Sequence, residues 1–144
     1  MRAFRGSCLC VSLLFGLPAF AQEAAPAAAS AAVEADRPGD IGQRWRIEFE
    51  RSAGTDGEIR LRLWPHNQPP IQVAIPVKQG DTANGLSRTT RDILRGALDK
   101  NKFAVEDAQR FVSIAAFNGE RRFALQLVSN SAEGLGIDLE RTGR

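Results

Sequence analysis

The chain has 144 residues, 43% hydrophobic and 25% charged, with 19 Lys and Arg, 17 Asp and Glu, one His and two Cys. These values exclude a collagen-like or low-complexity chain, and the length suits one domain with short extensions. Both cysteines, Cys8 and Cys10, lie near the start, so neither a disulfide framework nor a Cys-ligated metal site is expected in the body of the chain.

Residues 1–21 read as a secretory signal peptide. Arg2 and Arg5 give a positive start, an apolar run follows from Leu9 to Leu17, and Ala19-Phe20-Ala21 places small residues before a cut at Gln22. The run is shorter than the ~20 apolar residues needed to cross a bilayer, so no anchor is expected. Cys8 and Cys10 precede most of the run rather than closing it, which speaks against lipid attachment. Losing Arg2 and Arg5 lowers Lys and Arg from 19 to 17, equal to the 17 acids, all of which follow residue 21. The expected product is therefore neutral, periplasmic or secreted, and carries no charge argument for a nucleic-acid partner.

Residues 22–40 are mostly Ala, broken by Pro26 and Pro38, with no apolar face to bury. They are expected to form a disordered tether. It is acidic, with Glu23, Glu34, Asp36 and Asp40 against Arg37. The remainder, 41–144, is expected to be one small α+β domain, with no internal repeat.

Three strands open that domain. Trp45, Ile47 and Phe49 alternate with Arg46, Glu48 and Glu50. Ile59, Leu61 and Leu63 alternate with Glu58, Arg60 and Arg62. Ile71, Val73, Ile75 and Val77 form a third set. Period-two alternation predicts one buried and one wet face. Pro76 lacks a ladder donor, so the third strand should end there or lie at an edge. Pairing the first two strands as a hairpin with Glu50 opposite Arg60 and Glu48 opposite Arg62 sets unlike charges together.

After Gly80 the period changes to that of a helix. Asp81 is the expected cap of a helix over 82–99, with Ala83, Leu86, Thr90, Ile93, Leu94, Ala97 and Leu98 inward and Arg88, Arg91, Asp92 and Arg95 outward. Gly85 and Gly96 weaken it, and close packing against a sheet would explain them. Lys102–Glu106 is a further short strand candidate. Asn118-Gly119 predicts a type I′ turn joining Phe111–Phe117 to Glu120–Ser129, with Val112 beside Leu125 and Ile114 beside Phe123. Leu135, Ile137 and Leu139 mark a last strand. The expectation is an α+β fold, a mostly antiparallel sheet of about six strands in the order βββαβββ with one helix packed on a face.

No residue set carries a catalytic, metal or cofactor motif. His66, the lone histidine, sits in the proline-rich stretch Trp64–Pro70 without a nucleophile or orienting acid nearby in sequence. Glu48 and Glu50 stand about 6.5–7 Å apart on one strand face, near the spacing of inverting glycosidases. Arg46, Arg60 and Arg62 on the same face would keep both ionised. Asp99-Lys100-Asn101 opens like a calcium loop, but Ala104 replaces the needed glycine and Arg110 the closing Glu. The arginines of the helix offer a face for phosphate or an anionic surface.

The stretch Ile75–Thr82, ending Gly-Asp-Thr before a helix, resembles the opening of LysM glycan-binding modules. With Phe103-Ala104-Val105 it is also similar to strand-helix-strand units of flagellin-type proteins. The second helix of the first and the Ile-Asn pair of the second are missing, so no family is assigned.

These readings point to an exported, non-enzymatic protein that binds a protein or envelope component, without a cofactor. The expected contact surface is Arg46, Arg60, Arg62, Trp64 and His66, or an open sheet edge. A structural subunit assembling by strand addition, or a hydrolase with an unrecognised carboxylate site, are the alternatives.

Overall fold

Seven runs of alternating residues and one run of helical period assemble around a single apolar cluster. The computed structural model describes residues 37–143; the expected signal peptide, 1–21, and most of the expected tether, 22–40, lie outside the described residues. The strands are β1 (Arg44–Glu50), β2 (Gly57–Trp64), β3 (Ile71–Val77), β4 (Phe103–Ala108), β5 (Phe111–Ala116), β6 (Ala124–Asn130) and β7 (Gly136–Arg141), with α1 (Ala83–Ala97) between β3 and β4. The class is α+β, as expected. The details differ: the described residues form seven strands rather than about six, in the order βββαββββ, and these make two antiparallel sheets, β4-β5-β1-β7 and β3-β2-β6, rather than one.

The inner faces of the two sheets share one core, in which Ile47, Phe49, Ile59, Ile75, Leu94 and Ile114 are fully excluded from solvent. Both β1 and β2 bury the odd-numbered residues that the alternation marks. They do not pair with each other. β1 lies between β5 and β7, while β2 lies between β3 and β6. Two strands with one apolar face each can bury those faces side by side or across a sandwich, and cross-strand charge pairs worth ~0.2–1 kcal/mol are too weak to choose. The connection chooses. Arg51 takes a positive φ of 64°. Ala53 is buried, its N–H donating to Asp81 O at 3.0 Å and its carbonyl accepting from Gly80 N–H at 2.8 Å. The chain is thereby stitched to the start of the helix segment and enters the other sheet. At Gly57 a Cβ would fall 2.6 Å from the Ala132 nitrogen, so only glycine fits there.

The Asn-Gly turn forms as the dipeptide dictates, yet no hairpin follows. Asn118 and Gly119 have φ of 48° and 84°, and Glu120 N–H donates to Phe117 O at 3.1 Å. Both sides of β5 are already occupied, by β4 and β1. Residues 121–123 therefore cross to the second sheet, where β6 pairs with β2. Phe123 anchors the crossing. It forms an isolated bridge with Gly42, packs edge-to-face on Phe103 at 5.4 Å, and its carbonyl accepts the Trp45 indole N–H at 3.0 Å. The Lys102–Glu106 candidate forms β4, which pairs with β5 where the Asn-Gly hairpin would set β6.

Helix α1 is capped by Thr82, whose hydroxyl accepts from Gly85 N–H at 3.2 Å, rather than by Asp81. Asp81 is turned back to accept from Lys78 N–H at 2.8 Å. The helix packs on β3 of one sheet and on β4, β5 and β1 of the other, so it closes one side of the sandwich instead of covering one face. Gly85 and Gly96 are exposed, and no close approach explains Gly96, where a Cβ would meet nothing within 4 Å. Pro76 lies in an edge strand, as its missing donor requires.

Candidate functional site

The segment that joins β2 to β3 is held from below by a residue of the Asn-Gly crossing. Glu120, whose side chain is only 4% exposed, accepts the His66 backbone N–H at 2.8 Å on Oε1 and the Gln68 amide at 3.3 Å on Oε2. Lys102 Nζ stands 3.8 Å from the same carboxylate. Burying a carboxylate is costly unless it is paired and hydrogen-bonded, and these three donors satisfy that requirement. A carboxylate so engaged is a fastener for the proline-rich loop, not a free acid.

Two recesses flank this clamp. One, of about 440 Å³, is lined by Arg37, Ile41, Gln43, His66, Glu120, Arg121 and Arg122. The other, of about 460 Å³, is lined by His66, Asn67, Gln68, Lys102, Asn118, Gly119 and Glu120. Both share His66 and Glu120, so they adjoin at the clamp as the two halves of a shallow groove. Its rim is cationic. Arg121 and Arg122 are exposed and make no ion pair or hydrogen bond among the described residues. Ile41, 38% exposed, adds an apolar patch beside them. Guanidinium forks next to an aliphatic surface are suited to carboxylate or phosphate groups carried on a partly apolar ligand.

The residues expected from sequence to share a contact surface are dispersed. Arg46 lies on the outer face of the first sheet, 3.4 Å from Glu140 and 4.6 Å above the Phe111 ring. Arg60, bound to Glu58, and Arg62 belong to the second sheet. Trp64 is fully buried, with Arg62 5.6 Å above its ring, and so is no exposed aromatic anchor. Only His66 reaches the groove. The expected hairpin places Glu120, Arg121 and Arg122 on a strand and so conceals them; three consecutive charged residues directly after a tight turn are the signal that marks them.

The other candidates are committed to the fold. Glu48 is held by Arg110 at 2.8 Å and lies opposite Asp138, so the expected salt-laced face exists with different partners. Hydrogen bonds to Asp92 and Asp107 hold the Arg91 guanidinium above its ordinary pKa, and Arg95 Nε donates to Val105 O at 2.8 Å. Two of the three helix arginines thus fasten α1 to β4. The Asp99–Asn101 segment is a turn, with Asp99 accepting from Asn101 N–H at 2.9 Å. Among the described residues no group of three or more His, Cys, Asp or Glu is placed to hold a metal, and no helix is long and apolar enough to cross a membrane.

No protein-family model matches this chain, and no curated protein matches it in sequence. The site must therefore be read from its own chemistry.

Proposed function

We propose that the chain is an exported, non-enzymatic binding domain, cleaved after Ala21 and carried on the 22–40 tether, that holds an acidic segment of an envelope protein in the groove around His66. The observation that supports this most is the pair Arg121 and Arg122, exposed and unpaired beside a carboxylate that is already fully engaged. Two neighbouring guanidinium groups left in water gain most from a ligand with carboxylates at matching spacing. The exposed Ile41 favours a peptide with an aliphatic residue near its acids over a uniformly polar polymer.

A fluorescent peptide alternating Glu and Leu serves as the probe. Binding should weaken as salt rises, because exposed charges are screened. Replacing Arg121 and Arg122 together with Gln should reduce affinity by about tenfold or more, as for the loss of two charge-assisted pairs. Equal binding by the double variant would contradict the groove as the site. The export half of the reading is tested separately, by the intact mass of the native product, which should correspond to a chain beginning at Gln22.

A further inference from the structure

Two open sheets have four edges, and an uncovered edge presents unpaired N–H and C=O groups to any extended chain. Three edges of this protein are blunted. Helix α1 packs along β3 and β4, Arg95 fills the Val105 carbonyl of β4, and Pro76 removes a donor from β3. The β6 ladder shifts register between the partners of Arg60 and Leu61, skipping Val128, and such a bulge disrupts further pairing. β7 has none of these devices. It pairs with β1 without interruption from Gly136 to Arg141, and among the described residues nothing pairs with its other side.

The phase of that free edge follows from one bond. Thr142 N–H donates to Arg44 O at 2.9 Å. In an antiparallel ladder, bonded and non-bonded pairs alternate. Asp138 and Glu140 therefore spend their backbone groups on β1, while Ile137, Leu139 and Arg141 turn theirs outward. Side chains alternate as well. Ile137 and Leu139 face inward opposite the fully buried Phe49 and Ile47, yet remain only half-buried because the sheet stops there. Asp138 and Glu140 are exposed on the outer face; Glu140 shares its charge with Arg46 of β1 at 3.4 Å, a solvent-exposed pair that leaves its outer side open to a further cation.

Those two acids decide the occupant. Twofold pairing of two β7 strands keeps same-face residues opposite each other. Centring it on Asp138, Leu139 or Glu140 places Asp against Asp, Asp against Glu, or Glu against Glu, and directly opposed like charges destabilise. Centring it on Ile137 avoids the clash but overlaps only Gly136–Asp138 of the two strands, so a second copy is disfavoured. We infer that the β7 edge docks an extended segment of another protein, with Lys or Arg at alternate positions and aliphatic residues between them, as a fifth strand of this sheet. Its basic residues would oppose Asp138 and Glu140, and its aliphatic residues would cover Ile137 and Leu139. This edge meets the His66 groove at one end, where Arg141 Nη1 donates to Ile41 O at 3.4 Å, but it asks for the opposite ligand charge, so the two readings fail independently.

The test uses a seven-residue peptide alternating Val and Lys, added to the full chain while backbone amide exchange is followed residue by residue. Exchange should slow at Ile137, Leu139 and Arg141 and stay unchanged at Arg121 and Arg122. Asp138→Asn with Glu140→Gln should weaken binding by about tenfold, from the loss of two cross-strand charge pairs. The same peptide N-methylated at alternate residues, in whichever phase faces β7, should not bind. Protection confined to other segments, undiminished binding of both methylated peptides, equal binding of a Val-Glu peptide, or a dimer formed through β7 without peptide would each overturn the inference.

Discussion

The buried carboxylate of Glu120 accepts the backbone N–H of His66 at 2.8 Å, joining positions 54 apart in sequence. Through this bond the Asn-Gly crossing holds the proline-rich loop and the groove keeps its shape. Removing it leaves an N–H unsatisfied at a part-buried site. Glu120→Ala should cost about 2 kcal/mol, the range for a hydrogen bond to a charged group, read as a lower urea midpoint at unchanged slope. Glu120→Gln keeps an acceptor for His66 and should cost less than half as much. Replacing the neighbouring Arg121 and Arg122 with Gln should change stability by under about 0.5 kcal/mol, because both are exposed and unpaired. Equal effects for Glu120→Ala and the arginine pair would contradict the division between clamp and binding surface.

The two tryptophans make opposite predictions. Trp45 donates its indole N–H to Phe123 O at 3.0 Å, whereas the buried Trp64 Nε1 has no acceptor among the described residues. Trp45→Phe loses a hydrogen bond where the chain crosses between sheets. Trp64→Phe removes an unsatisfied donor that already costs desolvation energy. Thermal or denaturant unfolding should find Trp45→Phe less stable than Trp64→Phe by at least about 1 kcal/mol. The reverse order would contradict the hydrogen-bonding assigned to Phe123.

Two glycines differ in the same instructive way. Gly96 sits in an exposed helix turn with no atom within 4 Å of a Cβ, and Gly96→Ala should stabilise by up to about 1 kcal/mol. For a domain of this size that is a rise of roughly 4–8 °C in Tm. At Gly57 the added carbon would overlap the Ala132 backbone at 2.6 Å, so Gly57→Ala should destabilise by about 2 kcal/mol or more. Calorimetry of both variants checks the loop contact and the open helix face together.

The face each strand buries was legible in the sequence; which strand it pairs with was not. β1 and β3 occupy the predicted residues, α1 runs 83–97 against the predicted 82–99, and Pro76 lies at an edge. Alternation states that Trp45, Ile47 and Phe49 point one way. It says nothing about whether their cover is a neighbour's side or an opposing sheet. That choice is made by long-range anchors, Ala53 against Gly80 and Asp81, and Phe123 against Gly42 and Phe103. No local pattern announces them. Asn118-Gly119 specifies the dihedrals of its turn, but a turn fixes only four residues, and a β5 already paired on both sides turns the following strand away.

The candidate site shows the same limit. His66 lies on the loop that its proline-rich surroundings predict, and the fold sets that loop beside the groove. Trp64, counted with it by proximity in sequence, is buried on the strand that precedes the loop. The clamp itself depends on Glu120 meeting His66 across the fold. Only the crossing brings them together, and the hairpin expected from Asn118-Gly119 hides it.

The most direct test of the functional reading is a titration of the isotopically labelled protein with the Glu-Leu peptide, followed by backbone amide shifts. The account predicts concentration-dependent shifts centred on His66, Asn67, Arg121 and Arg122, lost in the Arg121→Gln, Arg122→Gln double variant. Shifts centred elsewhere, or a full set of shifts surviving in that variant, would contradict it.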